Sequence, residues 1–214
     1  MKRLIVACAI MGMAIASHGQ YDKKAKEYLD KVSEKFQKIN AFKASFTYSM
    51  ESPANDVSDS FSGEIMVKGD DKIKLDLRDQ IIFIDGTTQW NYLPEDKEVN
   101  IVEYDAEEME FSPDKIYNLY KTGYKYIYIE PITEKGKTYH VIDLVPEDRN
   151  KSFFKIKLFI EDKTSNIASW RIYEKSGNKY QYKITSFEEN VKLSDSEFKF
   201  DKTKYKGVEE IDLR

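Results

Sequence analysis

Cysteine is nearly absent. The 214-residue chain has one, Cys8, inside its first twenty residues. If that segment is removed, neither a disulfide framework nor thiol chemistry remains open. Histidine is almost as scarce, with only His140 beyond residue 20. A thiol protease and an ordinary zinc site both need more than this, and a lone histidine in a strand pattern (TYHVIDL) reads as structural. There is no G-x-S-x-G elbow, no P-loop and no G-x-G-x-x-G. Carboxylate pairs carry no information among 38 acidic residues. No catalytic residue, metal ligand or cofactor is therefore assigned, and the chain is read as a non-enzyme.

Positive charge is not in excess either. The formal charge is −4, and −6 without Lys2 and Arg3, which argues against nucleic acid and against electrostatic docking on anionic lipid. Five prolines and nine glycines form no linker-like stretch, so residues 21–214 read as a single domain. A monomer is expected. Long apolar runs are missing apart from Leu4 to Ala16, which is too short to span a bilayer. With the basic Met1-Lys2-Arg3 before it and small Ser17 and Gly19 after it, residues 1–20 read as a secretory signal peptide. Ile5-Val6-Ala7-Cys8 resembles a lipobox, but only seven residues precede the cysteine and most of the apolar run follows it. The expectation is a soluble exported protein.

What is abundant is aromatic side chain, 15 Tyr and 12 Phe, which favours strands. Tyr21 to Asn40 is the one long helical segment. Ala25, Tyr28, Leu29, Val32, Phe36 and Ile39 recur at helical spacing, as on a helix that covers a core or serves as a movable cover. From Ala41 the period becomes two. Phe61, Gly63, Ile65 and Val67 share one face, and Ile73, Leu75 and Leu77 alternate with Lys74, Asp76 and Arg78. The stretch IIFIDGTTQWNYLP (Ile81 to Pro94) predicts a hairpin about Asp85-Gly86 that is apolar on both faces. The acidic EYDAEEME (Glu103 to Glu110) reads as a solvated loop, since it has no histidine and no Ca²⁺-loop spacing. A short helix follows, with Ser112 as N-cap, Pro113 at its first position, and Ile116, Leu119 and Tyr120 on one side.

About ten antiparallel strands joined by short turns make a meander, and a twisted sheet of that size curls toward a partly closed barrel. Its inner face would collect Ile65, Val67, Ile73, Leu75, Leu77 and Trp90 or Tyr92, with the aromatic pair favoured over Gln89 and Asn91. That interior is either a filled core or an apolar pocket for acyl chains. A secreted glycan-binding module using the Tyr and Trp surface is the reading from a different class.

Four motifs, in order, carry a resemblance: INAFKASFTYSM (Ile39 to Met50), FSGEIMVK (Phe61 to Lys68), IIFIDGTTQWNYLPEDKEV (Ile81 to Val99) and SPDKIYNLY (Ser112 to Tyr120). The chain resembles the LolA outer-membrane lipoprotein carrier family, in its Bacteroidetes-type version. The resemblance implies a mainly β (α+β) fold, an incomplete, strongly curved antiparallel β-barrel with a helical lid. It implies a periplasmic carrier that holds the acyl chains of lipoproteins, or of phospholipids, in a hydrophobic cavity. An inner-membrane ABC lipoprotein-releasing complex would deliver the cargo and an outer-membrane acceptor would receive it. Lid residues would be Leu29, Val32, Phe36, Ile116 and Leu119. A lipid-sensing regulator of the same fold is the neighbouring alternative. The family commonly places Arg-Pro after the V-K, the arginine latching the lid. Here Gly69-Asp70 follows Lys68, which makes Lys68 the latch candidate, without the planar fork of arginine.

Overall fold

The computed structural model describes residues 21–54, 56–105 and 116–214. The expected signal peptide, Cys8, most of the acidic stretch and the Ser112-Pro113 helix start lie outside the described residues.

Helix α1 (Lys23–Phe36) begins where Asp22 accepts hydrogen bonds from the backbone N–H groups of Lys24 and Ala25, at 2.7 and 3.1 Å. This cap satisfies two of the donors that a helix start leaves open. Ala25, Leu29, Val32 and Ser33 form its buried stripe. The helix is shorter than the segment from Tyr21 to Asn40, because residues 37–40 turn the chain into the first strand.

Twelve strands follow: β1 (Ala41–Ser52), β2 (Val57–Lys68), β3 (Lys72–Asp76), β4 (Ile81–Asp85), β5 (Thr88–Leu93), β6 (Glu98–Glu103), β7 (Tyr124–Glu134), β8 (Lys137–Pro146), β9 (Phe153–Glu161), β10 (Ile167–Glu174), β11 (Lys179–Glu189) and β12 (Glu209–Asp212). They make one sheet in the order β12-β6-β5-β4-β3-β2-β1-β11-β10-β9-β8-β7. Consecutive neighbours are antiparallel hairpins, β1 joins the two halves through β11, and β12 is a parallel edge strand on β6. The sheet curls strongly but does not close, since β7 and β12 remain its edges. The described end of the central segment is a 3-10 turn, Leu119–Lys121.

The β7 edge is partly closed by the segment that leads into α1. Asp22 N–H donates to the Tyr126 carbonyl at 3.2 Å, and Tyr128 N–H donates to the Asp22 carboxylate at 3.3 Å. Further along, Pro131 removes a backbone donor and a bulge lies between Tyr128 and Pro131. All three blunt an edge that would otherwise template pairing with another chain.

Both faces of the sheet are covered in part. Cross-strand pairing puts Phe42, Val67, Ile73 and Ile84 on one face, hereafter inner, and Phe83, Tyr92 and Val99 on the other. The outer group packs with Val208, Phe200 and Tyr205 of the C-terminal segment, where the Phe200 and Tyr205 rings stack at 4.9 Å and Tyr92 meets Tyr205 at 4.5 Å. This is why the Ile81–Ile84 run shows no clean alternation: each face of β4 meets apolar neighbours.

Gly63 has no room for a side chain between its neighbouring strands. A Cβ there would lie 2.6 Å from Phe46 Cζ and 2.8 Å from the Asp76 carbonyl oxygen. Gly63→Ala is therefore expected to cost about 1–3 kcal/mol through forced displacement of β1 or β3, readable as a lower urea midpoint at unchanged m value.

Candidate functional site

The inner face carries two apolar clusters. One holds Phe42, Ala44, Phe46, Ile65, Val67, Ile73 and Ile84, all at most 4% exposed, with Leu75, Leu77 and Ile82 half-buried against them. The other lies under α1 and joins Leu29, Val32 and Ile116 to Trp170, Leu158, Ile142 and their neighbours on β7–β10. Phe36, Tyr182 and Ile184 belong to both. The inner face is thus one continuous apolar surface from β4 through β1 and β11 to β7.

Low polarity on this face is visible in its phenols. Burial pushes the Tyr48 hydroxyl up to about 12, with Tyr182 and Tyr180 adding to it, and burial raises Tyr182 as well. Trp170 lies flat on Tyr182, centroids 5.0 Å apart and planes 12° from parallel.

The surface opens where α1 passes into β1. A cavity of about 470 Å³ lies there, with Phe36, Ile39, Phe42, Val67 and Leu119 as its apolar lining. Gln37, Asn40, Asp70, Asn118 and Thr122 make a polar rim. Over it, Phe36 stacks on Tyr117 at 3.5 Å and meets Phe42 edge-on at 5.2 Å. An apolar cleft with a few polar groups at its margin is the usual form of a small-molecule site.

Expected site residues divide cleanly. Ile65, Val67, Ile73, Leu75 and Leu77 are brought together on the inner face, and Leu29, Val32 and Phe36 of α1 share a cluster with Ile116 and Leu119. Trp90 and Tyr92 are not with them. Ile84 pairs with Gln89 and Ile82 with Asn91, so the amide pair shares the inner face and the aromatic pair turns outward to the C-terminal segment. The expected orientation of that hairpin is corrected by one residue of pleat parity. Phe42, Phe46, Ile82, Ile84, Trp170 and Tyr182 were not singled out. Their period-two spacing was visible, but which face they share depends on cross-strand register.

Lys68 does not reach α1. It sits opposite in pleat to Val67, and its ammonium donates to the Leu193 carbonyl at 2.8 Å and to Asp195 at 2.7 Å; Lys72 takes the other Asp195 oxygen at 2.8 Å. Lys68 therefore clamps the C-terminal segment. Hydrogen bonds from Lys68 and Lys72 hold the Asp195 carboxyl at about 2, below the usual ~3.9. With a folded pKa below the unfolded one, this clamp's contribution is present above about pH 4 and lost as pH falls through about 2. A carboxyl-carbon NMR titration of Asp195 should show its midpoint near 2, and a midpoint near 4 would remove the clamp.

Other polar contacts tie α1 down. Ser33 Oγ donates to Asn118 Oδ1 at 2.7 Å and Tyr120 OH to Asp30 Oδ1 at 2.6 Å. Lys35 Nζ reaches Glu189 at 2.6 Å and Asn166 at 2.7 Å. Tyr28 stacks on His140 at 3.7 Å, while the two ring nitrogens of His140 bond Tyr128 OH and Asp162. His140 has its hydrogen-bonding capacity filled, in keeping with the structural reading. Among the described residues no cluster of His, Cys, Asp and Glu has metal-site geometry, and no helix is long and apolar enough to cross a membrane.

A family model, outer membrane lipoprotein carrier protein LolA, matches residues 37–201. The chain belongs to the LolA family. That match runs from the end of α1, through both inner-face clusters, to Asp201 beside the outer aromatic anchors. No curated protein matches the chain in sequence. Among solved structures, an uncharacterized conserved protein from Thermus thermophilus superposes with a TM-score of 0.58 at 10% identity, covering 89% of this chain and 99% of its own. LprF from Mycobacterium bovis does so with a TM-score of 0.51 at 8% identity, covering 82% and 97%. These two share the fold with this LolA-family chain.

Proposed function

We propose that the chain is a periplasmic carrier that holds the acyl chains of lipoproteins on its inner face and shuttles them from the inner to the outer membrane. The observation that carries this is the continuous apolar inner face opening beside Phe36, Ile39, Val67 and Leu119, in a chain of the LolA family. Each buried methylene contributes about 0.8 kcal/mol, so a few acyl chains supply a large gross term. Opening the cover offsets part of it, which permits release.

Residues 1–20 serve as the signal peptide, and residues 21–214 act as one lipid-binding domain. Helix α1 is the lid. In place of an arginine latch, Ser33–Asn118, Asp30–Tyr120 and Lys35–Glu189 hold it. Individually such pairs are weak, as a lid that must open requires. An inner-membrane ABC lipoprotein-releasing complex loads the monomeric carrier and an outer-membrane acceptor unloads it. The glycan-binding alternative loses support because Tyr92, Phe200 and Tyr205 stack on one another and leave few ring faces for sugars.

The test is release of a radiolabelled triacylated lipoprotein from inner-membrane vesicles that contain the ABC complex. The carrier should move label into the soluble fraction in a one-to-one complex. Label that stays with the vesicles at saturating carrier would exclude the shuttle.

A further inference from the structure

Strands β10 and β11 splay apart at one end of their pairing. These strands pair only from Ser169↔Lys183 to Tyr173↔Lys179. Beyond Ser169, β10 stays with β9 as far as Ile167↔Ile160, whereas β11 stays with β1 as far as Phe42↔Glu189. Each flank has an irregularity at the fork, Ala168 falling between paired residues on β10 and Thr185 on β11. Among the described residues no strand fills the space between them.

A cavity of about 400 Å³ occupies this fork. Its apolar lining includes Tyr117, Ile167, Ile184 and Phe187, which belong to the inner-face clusters or pack against them. Arg171 and Lys183 line it from the outer face, since they alternate with the inner residues Trp170 and Tyr182. Both are exposed. Arg171 donates its Nε to Gln181, at 3.2 Å, and its guanidinium rests 5.3 Å from the Phe159 ring. Of the two carboxylates in the lining, Glu161 is taken by Lys137 at 3.1 Å, which leaves Glu134. The fork is also stitched at its end. Lys35 of α1 reaches Thr164 and Asn166 on the β10 side and Glu189 on the β11 side. The lining is mostly polar, with Lys135 and Lys137 in it besides Arg171 and Lys183, and it turns apolar at Ile184 and Phe187, which makes a polarised slot.

We infer that this fork is a second ligand site, distinct from the mouth beside Phe36, for a single-chain amphiphile with an anionic head. The chain lies along Ile184 and Phe187, and a carboxylate or phosphate head meets Arg171 and Lys183. Guanidinium suits such a head because its planar donors match two oxygens at once. The site goes beyond the carrier reading and does not depend on it.

The test titrates the full chain calorimetrically with decanoate and with uncharged decyl maltoside, both below their micelle concentrations. Replacing both exposed cations, Arg171→Gln with Lys183→Gln, should weaken decanoate binding at least about tenfold, the scale of one charge-assisted hydrogen bond. Decyl maltoside binding should be unchanged. Equal decanoate binding by the double variant, or an equal loss for decyl maltoside, would overturn the site. If a triacylated peptide binds nowhere while decanoate still follows the Arg171–Lys183 pair, the carrier reading falls and the fork site stands.

Discussion

Glutamate at position 39 should lower the affinity for a dye-labelled triacylated peptide at least about a hundredfold, with the thermal midpoint close to that of the parent chain. Ile39 is half-buried and lines the mouth with Phe36, Phe42, Val67 and Leu119. In the empty protein a carboxylate there keeps part of its water. An acyl chain entering the mouth strips that water, and an unpaired charge then costs several kcal/mol. About 2.7 kcal/mol is a hundredfold. Ile39→Leu keeps the apolar lining and should bind within about threefold of the parent, a difference of under 1 kcal/mol. Fluorescence anisotropy of the labelled peptide reads both. Unchanged affinity in Ile39→Glu would mean that cargo does not pass this opening.

The second large effect is on stability and separates the two tryptophans. Trp170 is 4% exposed and lies flat on Tyr182 at the junction of the two clusters. Trp170→Ala removes its buried area, leaves a cavity and loses the ring stack, so about 3–5 kcal/mol is expected. Trp90 is half-buried on the outer face against the C-terminal segment. Trp90→Ala should cost less than half as much and leave acyl binding intact. Urea unfolding followed by far-UV circular dichroism measures both variants. Equal losses, or acyl binding lost with Trp90, would favour the opposite parity of the β4–β5 hairpin.

That parity shows where sequence reading succeeds and where it stops. Ile73, Leu75 and Leu77 were legible because they alternate strictly with Lys74, Asp76 and Arg78, Ile65 and Val67 because they continue the period of Phe61 and Gly63, and the N-terminal helix followed from its own longer period. Trp90 and Tyr92 were not, because Ile81 to Ile84 are apolar at every position and give the register no reference. What the outer side of that hairpin meets, Phe200, Tyr205 and Val208, lies more than a hundred residues away in a polar tail. Lys68 followed the same logic: the residue after an inner Val67 points outward, where it finds Asp195 instead of the lid. The mouth itself was hidden, since it forms only when residues 37–40, Val67 and Leu119 converge. The twelfth strand escaped because its pairing with β6 is parallel and its four residues carry one apolar side chain.

The central claim is that the inner face holds acyl chains, and native mass spectrometry of the chain purified from a bacterial periplasm tests it most directly. A fraction should carry added mass that lipid extraction resolves into acylated lipoprotein, and Ile39→Glu should lose that mass while remaining folded. A uniformly bare parent protein that also fails to take up a triacylated peptide in solution would contradict the account.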